Sequence, residues 1–219
     1  MNPMVVTAEI DWQRYSKNKN KEINAMNKKT AHQTRRIHLS TRLLTLAGIG
    51  LLAGTASSAL ADDNRAPEVP KEISVGETNK VHFHGFGVGF QIYTWNGTSW
   101  GGAVPEATLF DEDGNVVALH FGVFAINGSF IGPAWQSNSG SEVVGKLPPA
   151  AVVVDTNSIP WLRLPALTTK GPGIFANTSF IQRVNTTGGK APSTNGAFVG
   201  QVARMPYTAD YFFYRQTSN

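Results

Sequence analysis

The sequence predicts an all-β fold, a single-domain antiparallel β-sandwich or barrel that follows an N-terminal signal peptide. Three observations support this prediction. Short runs of β-branched and aromatic residues recur from residue 71 onward, with turn residues between them. The 219 residues include 22 glycines and 12 prolines, which break helices and favour turns. No stretch of the chain keeps a helical period for three turns.

The clearest element is a β-hairpin at residues 108–117. Two apolar runs flank Asp113-Gly114, and glycine accepts the positive φ that a tight hairpin turn requires. The alternating oxygens of Asp111, Asp113 and Asn115 resemble part of a calcium loop, but the distant bidentate acid of such a loop is missing. A plain turn is therefore favoured. The other predicted strands cover residues 72–75, 80–83, 90–93, 142–144, 151–154, 161–164, 179–184, 199–203 and 211–214.

The first 61 residues are predicted to direct export. They carry nine Lys and Arg against three Asp and Glu, whereas residues 62–219 carry ten against twelve. Within them, a basic region precedes an apolar run over 43–53 and a terminal Ala59-Leu60-Ala61, the order found in a signal peptide with an A-x-A cleavage site. Twin-arginine export and the general secretory route both remain open, because the basic region contains paired arginines. We expect the protein in the periplasm or outside the cell.

The chain is therefore divided into five predicted segments. They are a non-native or disordered extension (1–25), the signal peptide (26–61), a linker (62–70), the β-rich domain (71–215) and a tail (216–219). The absence of cysteine excludes disulfides and thiolate chemistry.

Composition also excludes two classes of partner. A nucleic-acid-binding domain needs clustered Lys and Arg, and residues 62–219 have neither an excess nor a cluster of them. No apolar run reaches the ~20 residues that a membrane-spanning helix requires. Neither nucleic acid nor a membrane span is expected.

Several motifs resemble the domain of unknown function 3455 family, a group of uncharacterised exported proteins. The segments that carry the resemblance are 91–93, 105–110, 132–135, 140–145, 159–164, 180–192 and 206–214. One departure is the long separation of His120 from Gly132. The resemblance implies no established activity. A dehydrogenase function is rejected, because the nearest glycine-rich run, at 85–90, has Phe90 in place of the third glycine of a dinucleotide motif and precedes no helical pattern.

Three histidines are candidate metal ligands. His82 and His84 are alternate residues of a predicted strand and would face the same side, so both imidazoles could bind one divalent metal ion with His120 as a third ligand. The alternative is that they are polar residues on a solvent-facing strand surface.

A second candidate site centres on Gln182, Arg183 and Asn185, followed by a Thr-Thr-Gly-Gly-Lys loop. These side chains could donate hydrogen bonds to a small molecule or glycan, with Trp135 and Tyr207 supplying aromatic surface. The alternatives are a structural ion pair of Arg183 with Asp210 or Glu106, and core packing of the aromatic rings.

Two functions follow from these candidates. The first is a non-enzymatic exported ligand-binding or structural domain, whose ligand is carbohydrate-like. The second is an exported metal-dependent enzyme that uses His82, His84 and His120 to activate water. Catalytic residues, ligand and oligomeric state stay open at this stage.

Overall fold

The computed structural model describes residues 65–217, which contain nine β-strands, one short 3₁₀-helix and no α-helix. The 3₁₀-helix covers Lys71–Ile73. The strands are β1 (Asn79–Thr94), β2 (Val104–Phe110), β3 (Val116–Phe124), β4 (Phe130–Ser137), β5 (Glu142–Gly145), β6 (Ala150–Val152), β7 (Trp161–Lys170), β8 (Thr178–Gly188) and β9 (Val202–Gln216). The predicted extension and signal peptide, residues 62–64 of the linker and residues 218–219 lie outside the described residues.

The strands form a closed antiparallel barrel. Their order is β5-β4-β3-β2-β1-β9-β8-β7-β6, and an additional pairing of β5 with β7 closes eight of them into a ring, with β6 attached outside the ring on β7. Closure leaves few free edges, which limits pairing with other chains. The all-β prediction is confirmed, and of its two forms the barrel is the observed one.

The long strands β1 and β9 pair along almost their whole length, from Asn79 with Gln216 to Thr94 with Val202. Successive residues of β1 alternate between the barrel interior and its outer surface. Phe86, Val88 and Phe90 are exposed, whereas Gly87 lies between them on the inner side, where a Cβ atom would come within 2.5 Å of the Tyr211 ring. Glycine therefore allows the Tyr211 ring to pack inside the barrel.

The main core lies inside the barrel. Trp135, Phe175 and Phe213 are fully buried there with aliphatic side chains such as Leu109 and Ile181. A second cluster lies on the outer surface of β8 and β9, where the segment that precedes β1 covers it. Each buried aromatic residue contributes on the order of 2–3 kcal/mol of hydrophobic stabilisation.

Sequence predictions fail locally at several places. Residues 80–83 and 90–93 belong to one strand, β1, and residues 199–201 precede β9. Residues 72–75, predicted as a strand, instead include part of the 3₁₀-helix, whose N–H of Ile73 bonds to the carbonyl of Pro70. Strand β4 was not predicted, because its Gly132-Pro133 reads as a turn. In the structure Pro133 lies opposite Gly122 of β3.

The predicted hairpin at 108–117 is confirmed. Strands β2 and β3 pair, Gly114 has a φ of +79°, and its N–H bonds to the carbonyl of Asp111 at 3.0 Å. The Asp111 carboxylate caps the turn by accepting the N–H of Asn115 at 2.8 Å. Within residues 65–217, no helix is long and apolar enough to cross a membrane.

Candidate functional site

The barrel holds a cavity of about 180 Å³, and Trp135, Leu164 and Tyr211 of the main core form part of its wall. Its wall is mostly apolar and includes Phe130, Leu162 and Leu164. Prolines 105, 133 and 149 also contribute. The opening of the cavity is placed at Ala103 and Leu147, because Leu147 is exposed and Ala103 is half-buried. Seven of the eight ring strands, and the loop that follows the eighth (β5), therefore contribute side chains to one concave site, the usual setting for a small-molecule site in a barrel.

Polar side chains are few in this wall, and three of them carry N–H groups without a hydrogen bond of good geometry. Gln91 is 2% exposed and Trp135 is 1% exposed. Trp135 Nε1 has no hydrogen-bond acceptor among residues 65–217, and Gln91 Nε2 lies beside the Tyr207 hydroxyl without making a hydrogen bond of good geometry to it. The Nε of Arg183 is also buried and has no hydrogen-bond acceptor among the described residues. Buried N–H groups without partners each cost about 1–3 kcal/mol, so three around one cavity require a reason.

Arg183 does not form the structural ion pair that the sequence suggested. Asp210 accepts a hydrogen bond from Asn185 Nδ2 at 2.7 Å, and Glu106 binds Arg204 through two hydrogen bonds of 2.9 and 3.0 Å. Arg183 Nη2 donates a hydrogen bond to the carbonyl oxygen of Pro160 at 2.9 Å, and the guanidinium also lies within hydrogen-bonding reach of the Tyr211 hydroxyl. The half-buried guanidinium thus has no carboxylate partner in the part of the chain that the structure describes.

Two tyrosines form a hydrogen-bonded pair beside the cavity. Tyr211 is fully buried and lines the cavity, and its hydroxyl lies 3.0 Å from that of Tyr207. Burial raises the pKa of both phenols, and the positive charge of Arg183 opposes the shift. Both hydroxyls therefore stay protonated at neutral pH and act as neutral hydrogen-bonding groups.

His120 lies in the same wall and is buried. Its ring stacks on Trp135 with centroids 4.2 Å apart, and its Nδ1 is 2.8 Å from the carbonyl oxygen of Ala134. Since a carbonyl only accepts, Nδ1 carries the proton. Burial lowers the pKa of His120 to about 3; the bond to Ala134 opposes this shift and the charge of Arg183 adds to it. The imidazole is therefore neutral at physiological pH.

The structure does not bring the three candidate metal ligands together. His84 stacks on Phe212 and His120 packs against Tyr211. Because Phe212 and Tyr211 are consecutive residues of β9, these two histidines lie on opposite sides of the sheet.

His82 is also separated from the other two. The alternation assumed for His82 and His84 is interrupted by an irregular register between Val81 and Phe83. His82 Nε2 instead lies 3.3 Å from Thr178 Oγ1. Within residues 65–217, no group of three or more His, Cys, Asp or Glu side chains is placed to hold a metal ion.

The predicted ligand-binding residues do not lie together: some are at the cavity, one is on the outer side of β8 and one is on the surface. Trp135 and Arg183 line the cavity, and Tyr207 lies behind Tyr211. Gln182 is fully buried on the outer side of β8, where its Nε2 donates to the Ile73 carbonyl at 2.6 Å and its Oε1 accepts from the Tyr214 hydroxyl. Gln182 therefore fixes the 3₁₀-helix onto the barrel.

Asn185 lies on the surface, bonded to Asp210. Trp95, Trp100 and Trp135 do not form an exposed aromatic surface on which a glycan could stack. Trp95 and Trp135 are buried, and Trp100 is half-buried with its Nε1 bonded to the Thr194 carbonyl at 2.8 Å.

A comparison with known protein families shows which family the barrel domain belongs to. Residues 76–215 match the family described as Protein of unknown function (DUF3455). The chain belongs to this family. The DUF3455 match covers every strand of the barrel except the last residue of β9. No curated protein and no solved structure gives a significant match. The resemblance inferred from the motifs is thus confirmed.

The sequence of this DUF3455 protein did not identify the apolar residues of the cavity wall as site residues, and it also missed two polar ones, Gln91 and Tyr211. Both lie in segments that support the family resemblance, yet a single polar residue in an apolar strand carries little information by itself. The available signal was the alternation in β1, which places Gln91 on the same side as Gly87 and Gly89. A glutamine on the inner side of a barrel strand indicates either a core hydrogen bond or a ligand.

Proposed function

We propose that this protein is a binding protein that holds a small, predominantly apolar molecule inside the barrel. The observation that carries the proposal is the convergence on one apolar cavity of Gln91, Trp135 and Arg183, each of which has an N–H group without a hydrogen bond of good geometry among residues 65–217. Binding sites for small molecules combine apolar walls with a few polar groups that fix orientation. This wall has that composition.

The size of the cavity limits the ligand. A protein cavity of about 150 Å³ lined by apolar side chains accommodates benzene. The 180 Å³ here therefore suit a single ring or a short branched chain. A glycan chain is larger, and Trp95 and Trp135 are buried rather than arranged as an exposed stacking surface. Of the two ligand types expected from the sequence, the small molecule is favoured.

The proposal is tested with a panel of small aromatic and branched aliphatic compounds, whose binding is measured by ligand-observed NMR on the full-length protein. Substitution Ala103→Trp, at the opening of the cavity, should abolish binding by filling the entrance. Ala151→Trp is the matched control, since Ala151 is exposed on β6. The proposal fails if no compound binds the wild type, or if the Ala103→Trp protein binds as well as the control.

We also propose that the protein is exported, which rests on the basic region, apolar run and A-x-A sequence of residues 26–61. N-terminal sequencing of protein recovered from outside the cytoplasm tests this. A mature chain that begins at Asp62 is expected. Recovery of an uncleaved chain from the cytoplasm alone would contradict it.

A further inference from the structure

We infer that the ligand carries a carboxylate, which Arg183 and Trp135 bind while the aromatic and proline side chains of the wall hold its apolar ring. The inference rests on the proposed function, because it concerns the same cavity. It begins with the two side chains whose hydrogen-bonding role is unambiguous. Indole and guanidinium groups only donate, whereas an amide such as that of Gln91 can donate or accept. The matching group on the ligand is therefore an acceptor.

The charge of the site determines which kind of acceptor group the ligand carries. The Arg183 guanidinium is half-buried, and no carboxylate among residues 65–217 pairs with it. Burial raises the pKa of Tyr207 and Tyr211 and lowers that of His120, and the charge of Arg183 opposes the first shift and adds to the second. Its positive charge therefore acts through this part of the interior. A charge removed from water is destabilising unless a counter-charge accompanies it. An anionic ligand supplies that counter-charge.

Among anions, the carboxylate fits the wall best. It is planar and has two acceptor oxygens, which match the flat guanidinium fork of Arg183. A phosphate presents three strongly accepting oxygens and a charge near −2, for which the wall has too few donors. Phe130, Trp135 and the three prolines provide flat apolar surface for a ring attached to the carboxylate. The inferred ligand class is a small cyclic or aromatic monocarboxylate.

Benzoate and benzamide form a suitable pair of probes, since they have nearly the same shape and differ in charge. Their dissociation constants for the full-length protein are measured at pH 7 by calorimetry or by NMR titration. A hydrogen bond to a charged group contributes about 1.5–3 kcal/mol, so benzoate should bind at least about tenfold more tightly than benzamide. Equal affinities in the wild type would overturn the inference and leave the proposed function standing.

Substitutions show which residue causes the preference for benzoate over benzamide. Arg183→Met should remove the preference for benzoate, and Trp135→Phe should reduce it. Arg163→Met is the matched control, since Arg163 is another half-buried arginine but lies on the outer side of the neighbouring strand, against Phe180 and the Ser74 carbonyl. The ratio of the two affinities within each protein is the readout, because a general loss of stability does not change it selectively.

The remaining outcomes are also decisive. A preference for benzoate that persists in Arg183→Met would contradict the role of Arg183. If neutral panel compounds bind the wild type while benzoate and benzamide do not, the carboxylate inference is wrong and the proposed function holds. If no compound of either kind binds, the proposed function itself is wrong.

Discussion

Acid should destabilise this protein through His120 well above the pH at which most carboxylates become protonated. In the unfolded chain a histidine has a pKa of about 6.5. In the folded protein, burial lowers the pKa of His120 to about 3. Between these two values the unfolded state binds one proton more than the folded state, so stability falls as the pH falls. The slope from this residue is about 1.4 kcal/mol per pH unit.

Integrated from pH 7.5 to pH 5, the contribution of His120 is a loss of about 2 kcal/mol. The assay is urea unfolding at both pH values, followed by tryptophan fluorescence, for the wild type and for His120→Gln. The variant cannot titrate at this position, so its loss should be smaller by about 2 kcal/mol. Some loss should remain in the variant, because burial also lowers the pKa of His82 to about 4. Equal losses in the two proteins would refute the assignment of a buried, neutral His120.

Three further substitutions test the packing of the barrel by the same unfolding assay. Gly87→Ala should cost about 1–3 kcal/mol, because its Cβ atom would meet the Tyr211 ring at 2.5 Å, whereas Gly102→Ala, with open space around it, should stay within about 0.5 kcal/mol. Leu109→Ala should cost about 2–5 kcal/mol, since Leu109 is fully buried. Gln182→Ala should cost about 2 kcal/mol or more, since it leaves two buried groups without partners. If Gly87→Ala or Gln182→Ala changed the free energy of unfolding as little as Gly102→Ala, the packing described at that residue would be wrong.

The local sequence pattern was sufficient to predict most of the strands. It was not sufficient to predict that they close into a barrel. The Asp113-Gly114 turn and the β-branched runs carry their own information, because turn conformation and strand preference are local properties. The pairing of β5 with β7 joins segments that no short-range pattern relates. Strand β4 was hidden by Gly132, where a Cβ atom would approach the carbonyl oxygen of Gly145 to 2.3 Å. Its glycine reflects close strand contact and not a turn.

The candidate site was partly predictable for the same reason. Arg183 could be selected as a charged residue within a strand-like run, and Trp135 as a large aromatic residue in a segment that resembles the family. Whether Arg183 has a carboxylate partner depends on where Asp210 and Glu106 lie, and both are engaged elsewhere. The prediction of a metal site assumed that side chains alternate regularly between the two faces of the strand from His82 to His84. The register of β1 is irregular between Val81 and Phe83, so this assumption does not hold there. Such irregularities depend on the neighbouring strand and leave little trace in a single sequence.

The most direct test of the account follows the indole N–H signals of the protein during ligand titration. The chain has five tryptophans, and the Trp135 signal is assigned by its loss in Trp135→Phe. With the panel compound that binds most tightly, the Trp135 signal should shift in a saturable manner. The Trp100 signal should stay in place, because its N–H already bonds to the Thr194 carbonyl. A saturable shift of Trp100 with Trp135 unchanged, or no shift of any indole on binding, would contradict a ligand site inside the barrel.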